Sequence, residues 1–79
     1  LFSYLAQHNQ LIANYYFVRK KYQAAVDRHL RVATLYRDTK EAADSLYRAA
    51  QIELLFLKHE TMAANLLNQL INEYPDDPN

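Results

Sequence analysis

Apolar residues return along the chain at spacings of three and four, the period of one helix face, with polar clusters between the runs. Leu1, Leu5, Ile12 and Tyr16 make the first stripe, and Arg19-Lys20-Lys21 interrupts it as a turn. The pattern resumes with Ala25, His29, Val32 and Tyr36 and breaks again at Arg37-Asp38-Thr39. Thr39 is placed to cap the next helix, because its hydroxyl can accept from a backbone N–H two or three residues on. Glu41 adds negative charge to that helix's first turn. A third stripe takes Leu46, Tyr47, Ala50, Leu54 and Leu57, Lys58-His59 makes another turn, and a fourth takes Ala63, Leu66, Leu67, Leu70 and Ile71. Pro75 disfavours helical geometry in the residue before it and marks the stop near Tyr74. The spacing predicts four helices of roughly 15 to 18 residues joined by short turns, with an exposed polar tail over 75–79.

The order helix, turn, helix, break occurs twice. An offset of 38 residues lays "YPD" at 74–76 over "YRD" at 36–38, Ala63 over Ala25 and Leu70 over Val32. The chain thus divides into two repeats, about 1–38 and 39–74. Each carries small residues where two helices cross closely and large ones beside them: Asn9, Ile12, Ala13, Tyr16, Ala25 and His29 in the first; Tyr47, Ala50, Gln51, Leu54, Ala63, Leu67 and Pro75 in the second. This follows the tetratricopeptide pattern, whose period is 34. The extra residues, Lys40 to Ala43, fit a longer start to the third helix. The expected fold is all-α, a tetratricopeptide-like α-solenoid of two helix–turn–helix hairpins. Such arrays usually need about three units plus capping helices, and the apolar start Leu1-Phe2 has nothing before it to pack on. Both points predict a piece of a longer array.

Composition narrows the function classes. Of 79 residues, 51% are hydrophobic and 23% charged, a globular balance. Glycine is absent and both prolines lie at the C-terminal end, which leaves strand-rich folds without their turns. No cysteine is present, so disulfides and thiolate metal sites are excluded. No apolar run approaches the roughly 18 to 20 residues of a membrane-spanning helix. Nine basic residues balance nine acidic ones, whereas nucleic-acid binders carry a positive excess. The stretch "ANYYFVRKKYQAAVDRHLRV" at 13–32 still mixes aromatics with basic residues. Helical spacing separates them: Tyr16, Tyr22, Ala25 and Val32 fall inside a hairpin, and Tyr15 and Phe17 point toward neighbouring helices. Arg19 to Lys21 form the turn, and Arg28 and Arg31 lie outside. No nucleic-acid partner is expected.

Catalytic and metal chemistry find no foothold. His8, His29 and His59 sit on different helices, without the close spacing a zinc site needs. His29 stands where the repeat usually has an aromatic, which predicts a packed imidazole. Ser3 and Ser45 lack a nucleophile elbow, Glu41, Asp44, Glu53 and Glu60 read as scattered surface carboxylates, and no glycine-rich phosphate loop exists. The chain is therefore expected to be no enzyme and to hold no cofactor or metal. The first helix of each hairpin should line a concave face with Gln7, Gln10, Asn14, Ser45, Arg48 and Ile52. That mostly polar surface suits an extended peptide, and ordinary solvation equally well.

"LAQHNQLIANYYFVRKKYQAAVDRHLRV" followed by "YRDTKEAADSLYRAAQIELL" resembles the C-terminal repeats of the BamD family, outer-membrane lipoproteins of the β-barrel assembly machinery of Gram-negative bacteria. The family's aromatic pair is Tyr15-Tyr16, its basic turn Lys20-Lys21-Tyr22, and its "AA-hydrophobic-N-R" run Ala24 to Arg28. Its "YPDT" becomes Tyr36-Arg37-Asp38-Thr39 and its acidic, alanine-rich helix start Glu41-Ala42-Ala43. The chain departs from the family at Lys20, where glycine is usual, at Asp27 for Asn and at Arg37 for Pro. The resemblance implies a periplasmic scaffold that holds the barrel-forming subunit and companion lipoproteins, anchored to the membrane only by a lipid outside this chain. It also implies that Arg28 contacts the partner, and Arg31, on the same outer side of the helix, is a second candidate contact. A second setting stays open: a peptide- or chaperone-docking module of another cell-envelope or cytosolic complex.

Overall fold

The computed structural model describes residues 1–75, and the expected tail lies, from 76 on, outside them. Four helices follow one another: α1 (Phe2–Val18), α2 (Tyr22–Leu35), α3 (Lys40–Leu55) and α4 (Glu60–Glu73). α2 packs on α1 and on α3, α4 packs on α3, and α1 also touches α3. The architecture is that of two tetratricopeptide-like helical hairpins laid side by side.

The 38-residue offset recurs in the element boundaries. α3 begins 38 residues after α1, and α4 both begins and ends 38 residues after α2. α1 has 17 residues and α3 has 16. The lengthening expected at Lys40 to Ala43 is therefore shared by both first helices and is no special start of α3.

The turns repeat too. Lys20 has φ 61° and Lys58 has φ 60°, the left-handed conformation that ends many helices. At α1 the Lys20 N–H bonds to the Phe17 carbonyl and the Lys21 N–H to the Tyr16 carbonyl, each at 2.9 Å. These two bonds satisfy carbonyls that the helix end leaves open. α3 closes more widely, with Leu57 N–H on the Ile52 carbonyl at 3.0 Å and His59 N–H on the Glu53 carbonyl at 2.7 Å. Thr39 stands at the N-cap of α3 in extended geometry, but its hydroxyl makes no cap bond. It turns back and donates to the Tyr36 carbonyl at 2.6 Å, the local alternative that competes with capping for Ser and Thr.

Alanine builds most of the interior. Ala6 and Ala13 of α1, Ala25 and Ala33 of α2, Ala42, Ala43, Ala49 and Ala50 of α3 and Ala63 of α4 are all buried. Small side chains let the backbones approach, and Val26, Val32, Leu46, Ile52 and Leu70 fill the space between them. The seam of α1 is thereby rotated from the expected stripe. Ala6, Asn9 and Ala13 are buried, Leu5, Ile12 and Tyr16 are half-buried, and Leu1 is 89% exposed. On α3, Leu54 is exposed while Ile52 and Glu53 are buried, and on α4 Ile71 is exposed. The end of α4 is tied back to the α2–α3 turn: the Tyr74 hydroxyl donates to the Arg37 carbonyl at 2.6 Å. Burial, with the charge of Glu73, pushes the Tyr74 phenol up from its ordinary value.

Candidate functional site

α1 and α3 run in parallel register, and polar side chains join them. Ser3 donates to Glu41 Oε1 at 2.6 Å and Gln7 to Glu41 Oε2 at 3.0 Å. One turn on, the Gln10 amide reaches Asp44 Oδ2 at 3.0 Å and Ser45 Oγ at 2.9 Å. Glu41 is buried, where a charge is costly without donors. Burial opposes its ionisation. The bonds from Ser3 and Gln7, its own backbone N–H and the charge of Lys40 outweigh that and hold the carboxyl below its ordinary value.

Ser45 is fully buried, so it supports the groove from beneath and does not line it. Its Oγ accepts from Gln10, which leaves its proton for His29 Nδ1 at 3.3 Å. His29 is a packed imidazole, 5% exposed. Burial, then the nearby Arg48 charge, lowers its pKa from 6.5 to about 4 against the opposing pull of Asp44. The ring is therefore neutral at pH 7, as an acceptor at Nδ1 requires.

Above this layer lies an open groove of about 530 Å³ between α1 and α3. Gln7, Gln10, Asn14, Arg48 and Ile52 line it, and His29 forms part of its floor. The expectation of a mostly polar surface holds for only one half. Toward the helix C-termini the lining is Leu11, Phe17, Ile52, Leu55 and Phe56. Phe17 meets Phe56 edge-on at 5.1 Å between ring centroids, and Phe56 stacks on Tyr22 at 4.6 Å. This half was missed because Leu55 and Phe56 sit at the last turn of α3, where the stripe through Leu54 and Leu57 points elsewhere.

The other face of the first hairpin carries Arg28 and Arg31. Arg28 is half-buried rather than outside: its Nη1 donates to Asn9 Oδ1 at 3.1 Å, bridging α2 to α1. Asn9 is held in turn by its own bond to the Leu5 carbonyl at 3.0 Å. Arg31, one turn on, is exposed as expected. Tyr15 does not pack into a neighbouring helix. It is 53% exposed, and the Arg19 guanidinium lies 3.6 Å above its ring. Glu53, expected at the surface, is fully buried at the end of α3. Its Oε2 meets His59 Nδ1 at 2.8 Å, while Oε1 is buried with no partner among the described residues. Glu41 and Glu53 thus overturn the reading of scattered surface carboxylates.

Among the described residues no group of three or more His, Asp or Glu side chains is placed to hold a metal ion, and no helix is long and apolar enough to cross a membrane. Residues 1–64 match the family model YfiO, outer membrane lipoprotein. The chain belongs to this family. The match agrees with the BamD resemblance and covers all of the first hairpin, α3 and the start of α4. Neither curated proteins nor solved structures gave a match. YfiO membership places the chain with outer-membrane assembly lipoproteins of the cell envelope. The groove and the Arg28 face both fall on helices within the matched residues.

Proposed function

We propose that the chain is a non-catalytic scaffold of outer-membrane β-barrel assembly, holding the barrel-forming subunit and its companion lipoproteins on the periplasmic side. Membership of the YfiO family over residues 1–64 carries the reading. Arg28 and Arg31 are the partner contacts. Asn9 takes one N–H of Arg28, which orients the guanidinium and leaves further donors for a carboxylate. A lysine in its place could not make the same paired contact.

The test is co-purification of the barrel-forming subunit with the chain in its full parent context. Arg31→Glu, at an exposed position, is expected to weaken recovery about tenfold or more while helicity stays unchanged, and Arg28→Glu more strongly. Asn9→Ala removes the bridge without changing charge and is expected to fall between wild type and Arg28→Glu. Recovery unchanged in both charge reversals would sink the proposal.

A further inference from the structure

The groove between α1 and α3 has a chemistry that selects its occupant, given that the chain is a protein-binding scaffold. Charge is spent at its polar end. Arg48 Nε donates to Asp44 Oδ2 at 2.8 Å, and Gln10 donates to the same oxygen at 3.0 Å. Gln7 is held by Glu41. Arg48 is the one cation among the lining residues, and Asp44 is paired with it through Nε, so an anionic ligand has to compete with that carboxylate.

Midway along the groove the position differs. Asn14 on α1 and Gln51 on α3 both line it, both are exposed, and neither enters a side-chain hydrogen bond among the described residues. A carboxamide carries both a donor and an acceptor, which matches the N–H and C=O of an extended backbone. Beyond them lies the apolar half. Leu55 is 57% exposed and Phe56 44%, and Phe17 and Tyr22 hold the Phe56 ring from two sides. Exposed apolar surface at the end of a polar groove marks a place where a partner's side chain is buried.

We infer that the groove binds an extended, uncharged polypeptide segment, with Asn14 and Gln51 gripping its backbone and the well at Ile52, Leu55 and Phe56 taking one bulky apolar side chain. A free carboxyl terminus or an acidic segment is disfavoured, because it would meet the Asp44 charge and have to compete with it for Arg48. Binding is driven by apolar burial and neutral hydrogen bonds, so it depends weakly on salt. That sets it apart from the arginine contacts of the opposite face.

The experiment is fluorescence anisotropy of the intact chain with labelled pentapeptides. One is capped by acetyl and amide groups and carries Phe at its centre among Ser and Thr. The second has Ser in place of Phe, and the third keeps Phe but ends in a free carboxylate. The capped Phe peptide is expected to bind at least about tenfold more tightly than either of the others, with little change between low and high salt. Asn14→Ala and Leu55→Ser, both at exposed positions, are each expected to weaken it several-fold with helicity retained, while Arg31→Glu leaves it unchanged. Equal binding of the three peptides, preference for the free carboxylate, or no binding overturns the inference. So does sedimentation showing that a second copy of the chain fills the groove. Loss of partner recovery in Arg31→Glu with peptide binding intact separates this result from that of the scaffold proposal.

Discussion

Lys20 and Lys58 adopt the same left-handed backbone, φ 61° and 60°, at equivalent places in the two hairpins. For a residue with a Cβ this conformation costs roughly 1–2 kcal/mol, and the BamD-like pattern usually puts glycine at the first of these places. Lys20→Gly is expected to raise stability by about 1 kcal/mol, and Lys58→Gly by a similar amount, in urea denaturation. A loss of stability in both variants would mean that the lysine side chains contribute more than the backbone costs.

His29 sets a pH window. Its folded pKa of about 4 lies below the 6.5 of the free group. The unfolded chain therefore takes up the proton first. Stability is full above pH 6.5 and is lost as pH falls toward 4. His29→Phe is expected to flatten this part of the profile, since the repeat accepts an aromatic there. Thermal melts across the window check it, and an unaltered slope in the variant refutes the assignment.

Glu41 governs a lower window. Its folded value is depressed below 4.5, so its contribution is present above 4.5 and is lost on further acidification through the folded value. Ser3→Ala and Glu41→Gln are each expected to shrink the stability difference measured between neutral and strongly acidic solution. Ser3→Ala removes one donor to a buried carboxylate and is expected to cost about 1–3 kcal/mol at pH 7.

Glu53 is fully buried, and its side-chain bond within the described residues is the one to His59. His59→Ala would leave the buried carboxyl without it and is expected to cost about 1–3 kcal/mol. Combining it with Glu53→Met is expected to recover most of that loss, because an apolar side chain leaves no buried carboxyl without a partner. Denaturant midpoints of the two variants decide it, and a double variant no more stable than His59→Ala would reject this account.

Leu46 is 1% exposed and Ile71 64%. Leu46→Ala is expected to cost about 2–5 kcal/mol, a large share of the total for a domain this small. Ile71→Ala should stay within about 0.5 kcal/mol. Comparable losses in the two would show that the exposed face of α4 is covered in solution.

The helices and turns were legible because alanine-rich periodicity and the absence of glycine leave few alternatives, and the 38-residue offset is written in Ala25 and Ala63 as plainly as in the backbone. The polar lining at Gln7, Gln10, Asn14 and Arg48 was legible for the same reason: the first helix of a hairpin has one face free. What escaped depends on distant partners. Glu41 looks like an ordinary first-turn acid until Ser3 and Gln7 are seen across the helix pair. Arg28 looks solvated until Asn9 is found beneath it. The Leu1 stripe misled because size outranked fit: alanines let α1 sit close to α2, and the larger side chains rotated out.

The bonds from Ser3, Gln7 and Gln10 to the start of α3 also act as a lock on sliding. Alanine surfaces are smooth, and a helix could shift along one by a turn, about 5.4 Å, with little change in apolar contact. Such a slip would break the paired bonds by which Ser3 and Gln7 hold the Glu41 carboxylate. Polar keys thus fix how one hairpin is set against the next, and the depth of the groove follows from them.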